Sequence, residues 1–237
     1  GRKIISYIMK KSLIKANIVI VVMFVALIAI AYSNANSLSV SADARVIYSG
    51  NTSKNNVCFM INVYQGSEYV RDILDILDVY KVKTTFFIGG SWAVNNIDLV
   101  KEIYTRGHEL GNHGFYHKDQ DTLDFDANVQ EIKLCHKVVS ENLGIEMKLF
   151  APPSGAYNVT VVDAATSLNY KTIMWTRDTI DWRDQDADLI YKRAIKDLSN
   201  GDLILMHPTE KTVQALVDIL SYTINNDFNP TTVSNCL

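Results

Sequence analysis

Cysteine is scarce in this chain. Its three residues, Cys58, Cys135 and Cys236, are odd in number and show no CxxC spacing. Such a set supplies neither a disulfide framework nor a zinc knuckle. Cys58 falls in an apolar, strand-like run and Cys135 in a helix-like one, so both are expected as buried thiols. Proline and glycine are also few, four and eleven in 237 residues, which excludes a long linker of that composition. Acidic residues are missing from the first fifteen positions, where Arg2, Lys3, Lys10, Lys11 and Lys15 stand alone. No internal repeat is present. Hydrophobic content of 48% with 21% charged residues fits one globular domain with an added apolar segment.

That segment follows the five cations. The apolar run Ile18 to Tyr32 is slightly shorter than the roughly 20 residues of a spanning helix, unless Leu13 to Asn17 adds to it. The basic flank predicts a cytoplasmic N-terminus. Two outcomes are open: an uncleaved signal anchor, or a signal peptide cut after Ala29-Ile30-Ala31 or Ser33-Asn34-Ala35. Both export the rest of the chain, to the outer face of a cell membrane or beyond it. Eighteen cations against 26 acids leave the exported part at about −8. That charge argues against a nucleic-acid partner, whose phosphates select basic faces, and is compatible with a neutral glycan. The first residue is Gly rather than Met.

The expected organisation is a membrane segment over 1–32, a Ser-, Asn- and Ala-rich tether over 33–56, and a domain over 57–237. Strands are expected at Val57–Val63, Lys83–Ile88, Glu109–Asn112, Met147–Phe150, Lys171–Trp175 and Leu203–Met206. Helices are expected at Ser67–Lys81, Trp92–Arg106, Phe125–Asn142, Asn158–Leu168, Ala187–Leu198 and Lys211–Ile224. Asp124 should cap the third of these and Gly144 should close it. This alternation predicts an α/β domain with a mostly parallel sheet or barrel. Functional residues of such domains gather at the C-terminal ends of strands, where Asn62, His113, Pro152, Asp178 and His207 stand.

The stretch Gly107-His108-Glu109-Leu110-Gly111-Asn112-His113-Gly114-Phe115-Tyr116-His117 holds three of the five histidines. Imidazoles spaced as His113 and His117 can converge on one divalent ion, which a hydrolase uses to activate water. The competing structural account makes them a hydrogen-bonded pair, with His108 and His136 in structural roles.

From about Val57 to Thr209 the chain resembles the polysaccharide deacetylases, the NodB-homology carbohydrate esterases. The resemblance is carried by Lys83-Thr84-Thr85-Phe86-Phe87, Gly107–His117, Pro152-Pro153-Ser154-Gly155, Asp178-Thr179-Ile180-Asp181-Trp182 and Leu205-Met206-His207, in the family's order. It implies a distorted or incomplete (β/α) barrel and a divalent metal, commonly zinc, on His113 and His117. It also implies a general acid at His207 with Asp178 or Asp181 as its partner. Pro153, Ser154 and Gly155 would lie at the oxyanion and substrate-binding backbone, and Trp182 would wall the sugar subsite. The implied substrate is an N-acetylated cell-envelope glycan such as peptidoglycan, from which a metal-dependent hydrolase removes acetyl groups.

The chain departs from that pattern at the centre. Asn62 stands where the family places its catalytic Asp, Val63 where it places the metal-binding Asp, and Ala151 where an Arg pairs with the base. Asn cannot take a proton from water at neutral pH. Hydrolysis therefore needs another carboxylate, and Glu68, Asp119, Asp121 and above all Asp178 are the candidates. The alternative is a catalytically silent, glycan-binding relative.

Overall fold

The computed structural model describes residue 17, residues 21–25 and residues 44–237. The expected membrane segment lies mostly outside these residues. Among those described, no helix is long and apolar enough to cross a membrane.

Residues 44–237 form one compact unit. Nine strands make a single parallel sheet: β1 (Val46–Ile47), β2 (Asn56–Val63), β3 (Thr85–Ile88), β4 (Glu109–Asn112), β5 (Leu149–Phe150), β6 (Lys171–Ile173), β7 (Arg177–Asp178), β8 (Leu203–Met206) and β9 (Asn229–Thr231). Their order is β1-β6-β5-β4-β3-β2-β8-β7, with β9 paired to the start of β2. The edge strands β1 and β7 are not paired with each other, so the sheet curls without closing. This is the incomplete barrel that the resemblance implies.

The helices are α1 (Ser67–Val79), α2 (Gly90–Asn95), α3 (Ile97–Thr105), α4 (Phe125–Leu143), α5 (Val159–Ser167), α6 (Ala187–Ile195), α7 (Glu210–Asn225) and a last turn, α8 (Val233–Cys236). The expected helix over Trp92–Arg106 is broken at Asn96, which has φ −134° and ends α2 as it opens α3. Its Nδ2 donates to the Trp92 carbonyl at 2.9 Å, so an Asn side chain competing for backbone partners interrupts the helix. Asp124 and Gly144 act as expected. Asp124 Oδ1 accepts from Ala127 N at 2.8 Å, and Gly144 takes the left-handed conformation that ends α4.

Two differences come from short elements. Val46–Ile47 pairs with Thr172–Ile173 inside the stretch read as tether, so the compact unit starts at Ala44 rather than near Val57. β7, β9 and α8 span two to four residues each, too few to leave a periodic signal.

Period-two alternation in β2 sets up the site. Phe59, Ile61 and Val63 point into the large core between sheet and helices. Cys58 and Met60 point the opposite way, into a smaller core inside the curl with Phe87, Leu149 and Ala151. Asn62 belongs to that second face and meets the open C-terminal end of the sheet. The three thiols are free and buried, as expected for Cys58 and Cys135.

His108 is structural. It is 2% exposed, its Nδ1 accepts from Thr84 N at 3.2 Å, and its Nε2 has no partner. Burial first, and the cations Lys83 and Arg106 second, bring its pKa down to about 4. In the unfolded chain this imidazole takes up a proton near pH 6.5, so between about 6.5 and 4 the unfolded state binds more protons. Its contribution to stability is therefore complete above that window and is lost as pH falls through it. His108→Gln is expected to flatten this part of the pH dependence of urea unfolding.

Candidate active site

A cleft of about 250 Å³ opens at the C-terminal ends of the strands, lined by Asn62, Tyr64, His113, His117, Ser154, Gly155, Trp175, Asp178, Trp182, Leu205 and His207. Five short segments that are distant in sequence therefore converge, and eight of the ten residues singled out as site candidates lie on the wall. Pro153 and Asp181 do not. Pro153 is buried beneath the loop it opens, so Ser154 and Gly155 form this part of the cleft wall instead. Asp181 is fully buried behind His207.

His113 leaves β4 with its backbone N–H bonded to the Ile88 carbonyl at 3.0 Å. Its Nδ1 lies 2.7 Å from the Ala151 carbonyl, which can only accept, so Nδ1 carries the hydrogen. The Nε2 lone pair is left free. Burial brings the His113 pKa down to about 3 and also lowers that of His117, whose neighbour His207 adds to the effect. Both imidazoles are thus neutral at physiological pH, the form that ligates metals. Their ring centroids are 5.0 Å apart.

The loop between them is held from a distance. Glu131 on α4 is 4% exposed, and its Oε2 accepts from Phe115 N at 2.9 Å and Tyr116 N at 2.7 Å. Asn112 Oδ1 accepts from Gly114 N at 2.9 Å. Gly114 and His117 both have positive φ, 68° and 54°, and these bonds fix the turn that brings His117 back over the cleft. Glu131 was not expected as part of the site, because a single acid inside a helix pattern gives no sequence signal.

On the opposite wall Asp181 organises His207. Its Oδ1 accepts from His207 Nδ1 at 2.8 Å, and its Oδ2 accepts from His207 N at 2.7 Å and Thr212 Oγ1 at 2.6 Å. The His207 Nε2 is the ring nitrogen left free. Asp181, not Asp178, is therefore the partner of His207. Asp178 lines the cleft itself, with Oδ1 accepting from Ile180 N at 2.7 Å. Of the four carboxylates considered as replacement bases, it is the one on the cleft wall.

Tyr64 fills the space between the histidines. Its ring stacks on His117 at a centroid distance of 3.6 Å and an angle of 27°, and lies 6.1 Å from His113 and 6.4 Å from His207. Burial and then the Asp181 carboxylate hold its phenol above the ordinary value, so it stays protonated. Trp182, 52% exposed, stands at the mouth, and Trp175 packs against Gly155. A Cβ on Gly155 would lie 2.7 Å from Trp175 Cη2, and its φ of +66° is one that favours glycine. The sequence pattern places Trp175 only at the end of a strand, and its position on the cleft wall emerges from the fold.

Asn62 is 3% exposed, and its Oδ1 has no hydrogen-bond partner. An orphaned buried acceptor costs about 1–3 kcal/mol. The neighbouring Val63 is fully buried in the large core. A catalytic zinc centre takes three protein ligands. Here His113 and His117 offer two, and the position of the third is a valine facing away. Among the described residues no group of three or more His, Cys, Asp or Glu is placed to hold an ion. The side chains present do not fit a three-ligand centre.

A polysaccharide deacetylase family profile matches residues 49–173. The chain belongs to the polysaccharide deacetylase family. It is 39% identical to the uncharacterized protein YlxY of Bacillus subtilis over 74% of this chain and 55% of that protein. It thus spans about half the length of that relative. It is 32% identical to a peptidoglycan-N-acetylglucosamine deacetylase of Bacillus cereus, over 71% of this chain and 82% of the relative. Among solved structures it is similar to a pseudoenzyme of carbohydrate esterase family 4 from Bacillus anthracis. That match has a TM-score of 0.79 and 33% identity, over 81% of this chain and 68% of the other. A mutant of that pseudoenzyme with restored enzymatic activity matches with the same TM-score at 31% identity, over 81% and 70% of the two chains.

Proposed function

We propose that this member of the deacetylase family binds an N-acetylated cell-wall glycan, of the peptidoglycan type, without hydrolysing it. The observation that carries the reading is the pair Asn62 and Val63. The first cannot accept a proton from water, and the second turns its side chain into the core where the family expects a metal ligand. Ala151 removes the family's arginine as well, and that loss is coupled to the first. A buried guanidinium without its carboxylate would be a costly unpaired charge, so losing both is less damaging than losing one. What survives is recognition: tryptophans on the wall, a polar floor, and neutral imidazoles with free nitrogens. The likeness to a family 4 pseudoenzyme supports the same conclusion. An N-terminal anchor with its cytoplasmic cations would hold the acidic domain outside the membrane, next to such a glycan and away from nucleic acid.

One observation favours hydrolysis instead. The buried Asp181 and His207 keep the geometry of a general acid with its orienting carboxylate. That reading needs Asp178 as base and a metal held by fewer protein ligands than usual.

Acetate release separates the two. Residues 44–237 incubated with N-acetylated peptidoglycan, with added zinc or with chelator, are expected to release none while sedimenting with the insoluble wall. Acetate that appears with zinc, disappears with chelator and is lost in His207→Ala would overturn the silent reading.

A further inference from the structure

We infer that His136, Tyr170 and Asn112 form a proton-sensitive strut behind the histidine turn, so that protonation of His136 on α4 releases Gly114 from its tie. The strut acts on the turn itself, whatever the cleft binds. Asn112, the last residue of β4, is fully buried. Two partners that cannot exchange roles fix the orientation of its amide. Gly114 N only donates, and reaches Oδ1 at 2.9 Å. The Ile132 carbonyl only accepts, and takes a hydrogen from Nδ2 at 2.8 Å. The second hydrogen of Nδ2 goes to the Tyr170 hydroxyl oxygen at 3.3 Å. Burial holds the Tyr170 phenol well above its ordinary value, so it keeps its own hydrogen. That hydrogen finds an acceptor in His136 Nδ1, 2.5 Å away, when the imidazole is neutral. His136 Nε2 then carries the ring hydrogen and gives it to Glu146 Oε2 at 3.2 Å. Every donor in this chain points outward, from Asn112 to an exposed carboxylate.

Protonation of His136 breaks that order, because both ring nitrogens of an imidazolium are donors. The phenol oxygen must then accept from His136 Nδ1, and its own hydrogen faces Asn112 Nδ2, another donor. No other described residue is hydrogen-bonded to the Tyr170 hydroxyl. The conflict is relieved when the Asn112 amide turns over and offers Oδ1 to the phenol, and Gly114 N then loses its acceptor. Gly114 has a φ of 68° between His113 and His117, so this bond is one of those that fix the turn. The charged groups around the His136 ring are Glu146 and Lys148 on the segment before β5, with Lys133 and Lys137 flanking it on α4. Asp163 on the neighbouring helix α5 is held by Arg45 at 2.7 Å. Glu146 accepts from Nε2 in both states of the ring, so it does not oppose the proton.

The test is amide hydrogen exchange followed by NMR, with the His136 ring titrated in the same samples. The protection of Gly114 N–H, taken relative to the core amides of β3, is expected to fall about tenfold as His136 takes up its proton, the loss of one buried hydrogen bond. Normalising to β3 removes global unfolding, the contribution of His108 included. His136→Gln, whose amide oxygen still accepts from the phenol but never charges, is expected to abolish the fall. Tyr170→Phe is expected to abolish it too, while His136 still titrates. His113, His117 and Glu131 are present in all three proteins, so a fall that persists in His136→Gln comes from them and overturns the inference. Protection of Gly114 that stays level through the His136 titration of the parent overturns it as well.

Discussion

The double substitution Asn62→Asp with Val63→Asp is expected to give a protein whose stability depends on zinc. Val63 is fully buried among Phe59, Ile61 and Ile88 in the large core. An aspartate there, without a metal, is an unpaired carboxylate in an apolar setting and should cost about 3 kcal/mol. For a domain of this size that is a fall in Tm of roughly 6–12 °C. The strand end gives the new carboxylate an escape, because the cleft lies one residue away at Asn62 and Tyr64. There it would join two imidazoles that are already neutral, with His113 Nδ1 tied to a carbonyl so that Nε2 is free. Three such ligands complete a zinc site, and zinc affinity should rise by about a hundredfold or more over the parent. Added zinc should then restore the lost Tm, since a ligand that binds only the folded state stabilises it. Thermal unfolding with zinc and with chelator reads both effects. If zinc leaves the variant's Tm unchanged, Val63 does not stand at a lost metal-ligand position. The Bacillus anthracis pseudoenzyme, of which a mutant has regained activity, shows that a similar scaffold can be returned to function.

Asp181→Ala should be the most damaging single change near the cleft. The carboxylate is fully buried and accepts three hydrogen bonds, two from His207 and one from Thr212. It ties the segment after β7 to the start of α7 across the end of β8. Removing it strands two buried donors and the His207 backbone N–H, a loss of about 3–5 kcal/mol. That corresponds to a fall in Tm of roughly 10 °C. Asp181→Asn keeps the volume but replaces one acceptor by a donor facing donors, so roughly half of the loss should remain. A Tm within about 2 °C of the parent for Asp181→Ala would show that the network contributes little beyond orientation.

The sheet was legible because buried parallel strands are short apolar runs, and β2 is buried along seven of its eight residues. The strand-end histidines and the acid pair were legible from residue type and order. What the sequence withheld was direction and partnership. Nothing in Asn62-Val63 says that one faces the cleft and the other the core until the strand register is known. Asp178 and Asp181 are equivalent in the motif, and only the left-handed turn at Ile180, φ 55°, sends the second behind His207. Glu131 is invisible for a related reason. It acts at a loop about fifteen residues earlier in the chain through backbone N–H groups, which carry no side-chain signature.

The parallel pairing of β1 with β6 has a consequence for approach. β1 runs in the same sense as the strands whose C-terminal ends carry Asn62, His113 and His207. Ala44 therefore lies at the rear of the sheet, the end remote from the cleft. Within residues 44–237 β1 thus enters the sheet at the end away from Asn62, His113 and His207, and does not crowd the mouth of the cleft.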